Sequence, residues 1–134
     1  MTTRILIADD DASIRRLVRR ILEDHPNWEV CGEAVDGQEA VVKTVELHPD
    51  VVILDLAMPE KNGFQAAREI SALFPLMPMV LLTVQNSSNE LANEARRAGF
   101  RILISKDKGT EVVQGIELLL REQAPNSAST GSSA

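Results

Sequence analysis

Short, continuous apolar runs alternate along this chain with stretches of helical period. Strands are read over residues 4–8, 28–34, 51–54, 79–83 and 102–104; Val, Ile and Leu dominate all but 28–34, which Glu29 and Glu33 interrupt. Strands buried on both faces of a parallel sheet read this way, whereas half-exposed strands alternate apolar with polar. Between the runs the period changes. Ile14, Leu17, Val18, Ile21 and Leu22 fall on one helical face, with Arg15, Arg16, Arg19 and Arg20 on the other. Residues 38–47 form a second helical pattern with Val41 and Val45 inward, stopped by His48-Pro49. A third spans 63–74 through Ala66, Ala67, Ile70, Leu73 and Phe74. A fourth runs to Ala98 from a cap among Ser87, Ser88 and Asn89, and Gly99 closes it. Its inward residues are Leu91, Ala92, Ala95 and Ala98, mostly small, so thin packing is expected. The last pattern, 111–123, carries Val112, Val113, Ile116, Leu119 and Leu120, leaving Leu118 off the stripe.

Five strand–helix alternations without a sequence repeat predict an α/β fold. The expected architecture is doubly wound and flavodoxin-like: a five-stranded parallel sheet in the order 2-1-3-4-5, with helices on both faces. Residues 1–123 make one domain. Residues 124–134, Ala-Pro-Asn-Ser-Ala-Ser-Thr-Gly-Ser-Ser-Ala, read as a flexible tail or a truncated linker.

Net charge of −6 and a pI near 4.9 argue against direct nucleic-acid binding by this domain, because phosphate contacts need a basic surface. The four arginines of the first helix then read as a solvated face. Cys31 is the only cysteine, which excludes an internal disulfide and a cysteine-based zinc site. His48 reads as a helix-end residue rather than a ligand. The first apolar run is too short for a signal-peptide core or a membrane span, so a soluble cytoplasmic protein is expected.

In the order 2-1-3-4-5, ligands bind at the carboxyl edge where strands 1 and 3 part. Asp9 and Asp10 end strand 1, and Asp55 ends strand 3. Thr83 ends strand 4, and Lys106 follows strand 5. Singly, each has an ordinary structural reading as cap, strand end or surface lysine; together, at one edge, they form a constellation. Three close carboxylates repel one another unless a cation sits among them. An all-oxygen donor set without His or Cys selects a hard cation such as Mg²⁺. A hydroxyl and an ammonium beside them suit phosphoryl oxygens, which gives the layout of aspartyl-phosphate chemistry with a carboxylate nucleophile.

Ile5-Leu6-Ile7-Ala8-Asp9-Asp10, the stretch from Pro49 through Asp55 to Pro59 with Gly63, Thr83 and Lys106 together resemble the receiver domain of two-component response regulators, over roughly residues 3–122. The resemblance implies that Asp55 accepts phosphate from a histidine kinase or phosphotransfer protein. It also implies that Asp9, Asp10, Asp55 and the backbone carbonyl of Ala57 hold Mg²⁺, and that Thr83 and Lys106 sense the phosphoryl group. Such a domain is a switch that promotes only its own phosphorylation and dephosphorylation. Its output surface is helix 4, strand 5 and helix 5, with a homodimer on phosphorylation among the outcomes.

The chain departs from the family at two places. Leu103 stands where an aromatic is usual, and Asp107 follows the lysine where proline is often found, usually in a cis bond. Leu103 predicts weaker gating, and Leu118 is the expected apolar contact on the output face. Ala57 and Gln85, flanking the phosphoryl position, are expected to set its lifetime.

Three other functions compete. A phosphohydrolase of the Asp-x-Asp kind needs an acid at position 57, which is Ala57. An FMN binder needs a phosphate loop and flanking aromatics, yet aromatics are 3% of the chain and the acidic edge repels phosphate. A degenerate receiver acting as a phosphorylation-independent docking module is the remaining alternative; the intact acidic residues oppose it.

Overall fold

A computed structural model of the chain describes residues 2–84 and 88–133, with side chains as far as Glu122. Strands β1 (Thr3–Ala8), β2 (Trp28–Ala34), β3 (Val51–Asp55), β4 (Met79–Thr83) and β5 (Ile102–Ser105) alternate with helices. These are α1 (Ala12–Glu23), α2 (Gly37–Leu47), α3 (Gly63–Leu73), α4 (Asn89–Ala98) and α5 (Glu111–Ser133). The strands pair in parallel as β2-β1-β3-β4-β5, the expected order.

Alternate side chains of each strand supply two cores, because successive residues point to opposite faces. Ile5, Ile7, Val51, Ile53, Val80 and Leu82 pack with Val18 and Leu22 of α1 and with Val112, Ile116 and Leu119 of α5. Leu6, Ala8, Val52, Leu54 and Leu81 face the other way, onto Ala40 and Val41 of α2, Phe64, Ala67 and Ile70 of α3, and Ala95 and Ala98 of α4. Both faces of the central strands are thus dry, which is why their sequences read as unbroken apolar runs.

Local chemistry sets the helix ends. Asp11 caps α1, accepting from the Ser13 and Ile14 amides. Asp36 caps α2, and Asn62 caps α3 in a reciprocal box with Gln65. Ser88 accepts from the Leu91 amide at the start of α4; Ser87 lies outside the described residues. Gly99 ends α4 at φ 113°, a conformation that L side chains avoid. His48 ends α2 in the left-handed region and packs edge-on against Phe74, a helix-end role. Cys31 is the extra residue of a bulge, since Ile5 pairs with Val30 and Leu6 with Gly32. Burial raises its thiol pKa, which makes it a poor nucleophile.

Four packing details differ from the sequence expectation. Val45 is 44% exposed, and Thr44 takes the inward position of α2 instead. Its hydroxyl donates to the Ala40 carbonyl at 2.7 Å, so burying it leaves no polar group unpaired. Leu17 and Leu73, at the margins of their helical stripes, are exposed. Phe64, unremarked in the sequence, is buried against Phe100. The α5 backbone continues through Ser133, past its last inward residue, Leu120, and past the expected end near 123. Leu118 lies off the inward stripe, 48% exposed. Among the described residues, no helix is long and apolar enough to cross a membrane.

Gly63 locks the turn after β3. Its amide donates to the Leu56 carbonyl at 2.7 Å, and a Cβ there would lie 2.4 Å from the Asp55 carbonyl oxygen. Backbone on both sides leaves little room to yield. Gly63→Ala is expected to destabilise the fold by about 1–3 kcal/mol, the usual range for overpacking, as read by urea denaturation.

Candidate functional site

The carboxyl edge of the sheet gathers the predicted residues. Asp9 is the first residue beyond β1, and Asp55 is the last of β3; both are buried. Asp10 is exposed beside them. One carboxylate oxygen from each of the three lies within 4.8 Å of the other two. The Lys106 ammonium, arriving just past β5, sits 2.7 Å from Asp9 Oδ2 and 3.0 Å from Asp55 Oδ1. Thr83 is buried at the end of β4, one residue beyond Leu82, which pairs in register with Asp55. Ala57 is exposed and shares with Asp10, Leu56, Met58, Pro59, Asn62 and Phe64 an open cleft of about 590 Å³.

Each of the three acidic residues after β1 does something different. Asp11 turns its carboxylate back onto the helix end, and its hydrogen bonds from Ser13, side chain first, hold its pKa low. Asp10 is thereby spared capping and remains at the mouth of the site. Asp9 is held from its own backbone: its amide donates to the Ala34 carbonyl at 3.0 Å, and its Oδ1 accepts from the Asp11 amide at 2.9 Å. Its Oδ2 points into the cluster and meets, among the described residues, only the Lys106 ammonium at 2.7 Å.

The electrostatics follow from burial and charge. Burial, with Asp9 and Asp10 nearby, pushes the Asp55 carboxyl above its ordinary value and outweighs the hydrogen bond from Lys106. Burial alone would lower Lys106, but hydrogen bonds to Asp9 and Asp55 and the attraction of both carboxylates raise it. Fully ionised, three carboxylates and one ammonium leave a formal charge of −2. A divalent cation matches that charge. The buried Asp9 Oδ2, met only by Lys106 among the described residues, and the all-oxygen set fit Mg²⁺, which Asp9, Asp10 and Asp55 would hold.

The departures from the family have visible consequences. The Lys106–Asp107 bond is trans, there being no cis peptide among the described residues, and Lys106–Lys108 winds into a single 3-10 turn. The Ser105 hydroxyl donates to the Asp107 carboxylate across that turn. Leu103 packs against the α2–α4 core and borders a cavity of about 160 Å³ with Ala92, Ala95, Arg96, Phe100, Arg101 and Ile102. Gln85 lies outside the described residues.

Arg15 was expected to lie on a solvated face. It is instead only 15% exposed and bonded to the Asp9 backbone. Its partners are separated from it in sequence, so helical period could not single it out from Arg16, Arg19 and Arg20.

A profile of the response regulator receiver domain matches residues 5–117. The chain is 38% identical over 106 residues to the chemotaxis protein CheY of Thermotoga maritima, covering 79% of this chain and 87% of that protein. It is 34% identical over 122 residues to the protein-glutamate methylesterase/protein-glutamine glutaminase of the same organism. That match covers 91% of this chain, which spans only 34% of the relative's length. Among solved structures, a LuxR-family two-component response regulator from Aurantimonas sp. superposes with a TM-score of 0.86 at 32% identity, covering 91% of this chain and 87% of that one.

The sign of the Asp55 shift gives a stability test. A carboxyl whose folded pKa is raised favours the folded state while protonated, and that advantage is lost as pH rises through the raised value. In EDTA, the stability of Asp55→Asn relative to the unsubstituted chain should therefore grow between about pH 4 and about pH 7. Urea midpoints at the two pH values measure it; a gap that shrinks with rising pH would contradict the assignment.

Proposed function

The chain belongs to the response regulator receiver domain family, and on that premise we propose that it is a phosphorylation-controlled switch with Asp55 as phosphoacceptor. The observation that supports this best is the Lys106 ammonium bridging Asp9 Oδ2 and Asp55 Oδ1 inside a three-carboxylate cluster. In this reading an Asp55 carboxylate oxygen attacks the phosphorus of a phosphohistidine on a kinase or phosphotransfer protein. The new P–O bond forms as the P–N bond breaks, and the imidazole leaves with a proton. Lys106 and the Thr83 hydroxyl then meet the phosphoryl oxygens. Asp9, Asp10, Asp55 and the Ala57 carbonyl would hold Mg²⁺, which when bound would supply positive charge beside the transferring group.

Several features support the choice of Asp55 over its neighbours. Asp9 is tied by the Asp11 amide and the Lys106 ammonium, Asp11 is committed to capping, and Asp55 ends the central strand beside the open cleft. Ala57, with neither acid nor base, sets a phosphoryl lifetime rather than a turnover, so the chain is a switch and not an enzyme acting on another substrate. The cytoplasm, where the phosphodonors of such kinases are made, is its place. Residues 1–123 form the switching unit, and 124–134 a tail or linker. Two partners follow from this reading: the phosphodonor, and a second copy or downstream protein on the α4–β5–α5 face.

Incubation with acetyl phosphate and Mg²⁺ should add one acid-labile phosphate, visible by intact mass. Asp55→Asn should add none, and EDTA should abolish the reaction. Equal incorporation by Asp55→Asn would place the acceptor elsewhere.

The cavity beside Leu103 bears on output. An aromatic ring would occupy space that leucine leaves empty, so the two states of the α4–β5 face differ less in packing energy and gating weakens. With beryllofluoride and Mg²⁺, amide shifts should reach residues 89–120, and Leu103→Tyr should enlarge them. Shifts confined to the loops around Asp55 in both proteins would mean that this face does not transmit the signal.

A further inference from the structure

We infer that Arg15 and Glu33 are positioning residues that set the Asp9 carboxylate for metal binding; this rests on the Mg²⁺ site proposed above. Arg15 closes the first turn of α1 and reaches back along two arms of its planar fork. Nη1 donates to the Asp9 backbone carbonyl at 2.7 Å, and Nε donates to Glu33 Oε1 at 2.8 Å. Glu33 lies on β2, pairs in register with Ile7, and is itself anchored. Its other carboxylate oxygen takes Arg19 Nε at 2.7 Å, and the Lys43 ammonium from α2 donates to its backbone carbonyl. A side chain fixed at both ends transmits position. A guanidinium does this better than an ammonium because its donors are held in one plane.

The consequence is specific to Asp9. Three contacts determine how that residue stands: its amide on Ala34, its carbonyl on Arg15, and its Oδ1 on the Asp11 amide. What remains is Oδ2, the buried oxygen that meets the Lys106 ammonium and is left to face the metal site. Asp9 leaves the sheet at the end of β1, and its carbonyl accepts from Arg15 of α1. Without that bond the peptide between Asp9 and Asp10 can rotate, and both carboxylates move with it. Groups behind a metal ligand act in this way, and their loss typically weakens the metal by about ten- to a hundredfold.

Charge and positioning predict opposite signs, which makes the idea testable. Arg15 carries a positive charge close to an acidic cluster. If it acted only through space, removing it would draw Mg²⁺ in more tightly. If it positions Asp9, removing it weakens Mg²⁺ despite the more negative site. Arg19 is the internal control, since it bonds the same Glu33 and carries the same charge but does not touch Asp9.

Calorimetric titration of the unphosphorylated chain with Mg²⁺, with urea midpoints in EDTA to follow folding, reads the difference. Arg15→Gln should raise the Mg²⁺ Kd about tenfold, and Arg19→Gln, which leaves both Arg15 bonds in place, should raise it far less. Arg15→Lys keeps the charge but cannot serve both partners, so it too should bind more weakly. Arg15→Gln with an unchanged or lower Kd would overturn the inference. So would Arg15→Gln and Arg19→Gln weakening binding equally, with equal losses of stability. If Arg15→Gln does not fold, Arg15→Lys decides, and an unchanged Kd there overturns it as well. Failure of the unsubstituted chain to bind Mg²⁺ would instead overturn the metal site itself, and the inference with it.

Discussion

Buried like charge is the constraint on which this structure turns. Asp9 and Asp55 are both buried, and their carboxylates lie within reach of each other and of Asp10. Such an arrangement is costly in a folded protein unless countercharge is built in. Lys106 supplies one positive charge to two carboxylates, and burial still leaves Asp55 harder to ionise than an ordinary aspartate. Stability alone would favour replacing one of these acids. In the proposed function their leftover negative charge is matched by a bound cation, and changes again when a phosphoryl group arrives.

The fold delivers this arrangement through rigid elements. β1 and β3 are neighbours in the centre of the sheet, dry on both faces, and their carboxyl ends meet at the same edge. Gly63 lets the backbone beyond Asp55 turn at close quarters, and Asp11 occupies the helix end that would otherwise compete for Asp10. Arg15 and Glu33 tie α1 and β2 to the Asp9 carbonyl. The acids are therefore placed by backbone and by salt bridges rather than by one another, as their repulsion requires.

The opposite end of the machinery is built loosely. Beyond Leu91 and Ala92 at its margin, α4 buries only Ala95 and Ala98 of its side chains, and Leu103 leaves a cavity beside it. A surface packed by small residues shifts at little cost; in the proposed switch it would follow a change at Thr83 and Lys106 but discriminate two states weakly. Tight packing around the acids and thin packing around α4 divide the domain into a part that holds geometry and a part able to move.

The strands, their parallel pairing and the edge shared by Asp9, Asp10, Asp55, Thr83 and Lys106 were legible in the sequence. Period and run length report burial directly, and strand ends mark the sheet edge. The helix cap at Ser88 and the left-handed Gly99 were legible for the same local reason. Tertiary contact decided the rest. Thr44 rather than Val45 faces the core, because a back-bonded hydroxyl tolerates burial and helix rotation is set by what it packs on. Asp11 rather than Asp10 caps α1, its carboxylate accepting from the Ser13 and Ile14 amides. Arg15 differs from Arg16, Arg19 and Arg20 through its bond to the Asp9 carbonyl, which lies beyond another element, and only Arg19 shares its bond to Glu33. A sequence states which residues recur on one face of one element; it does not state which pairs the assembled elements bring within 3 Å.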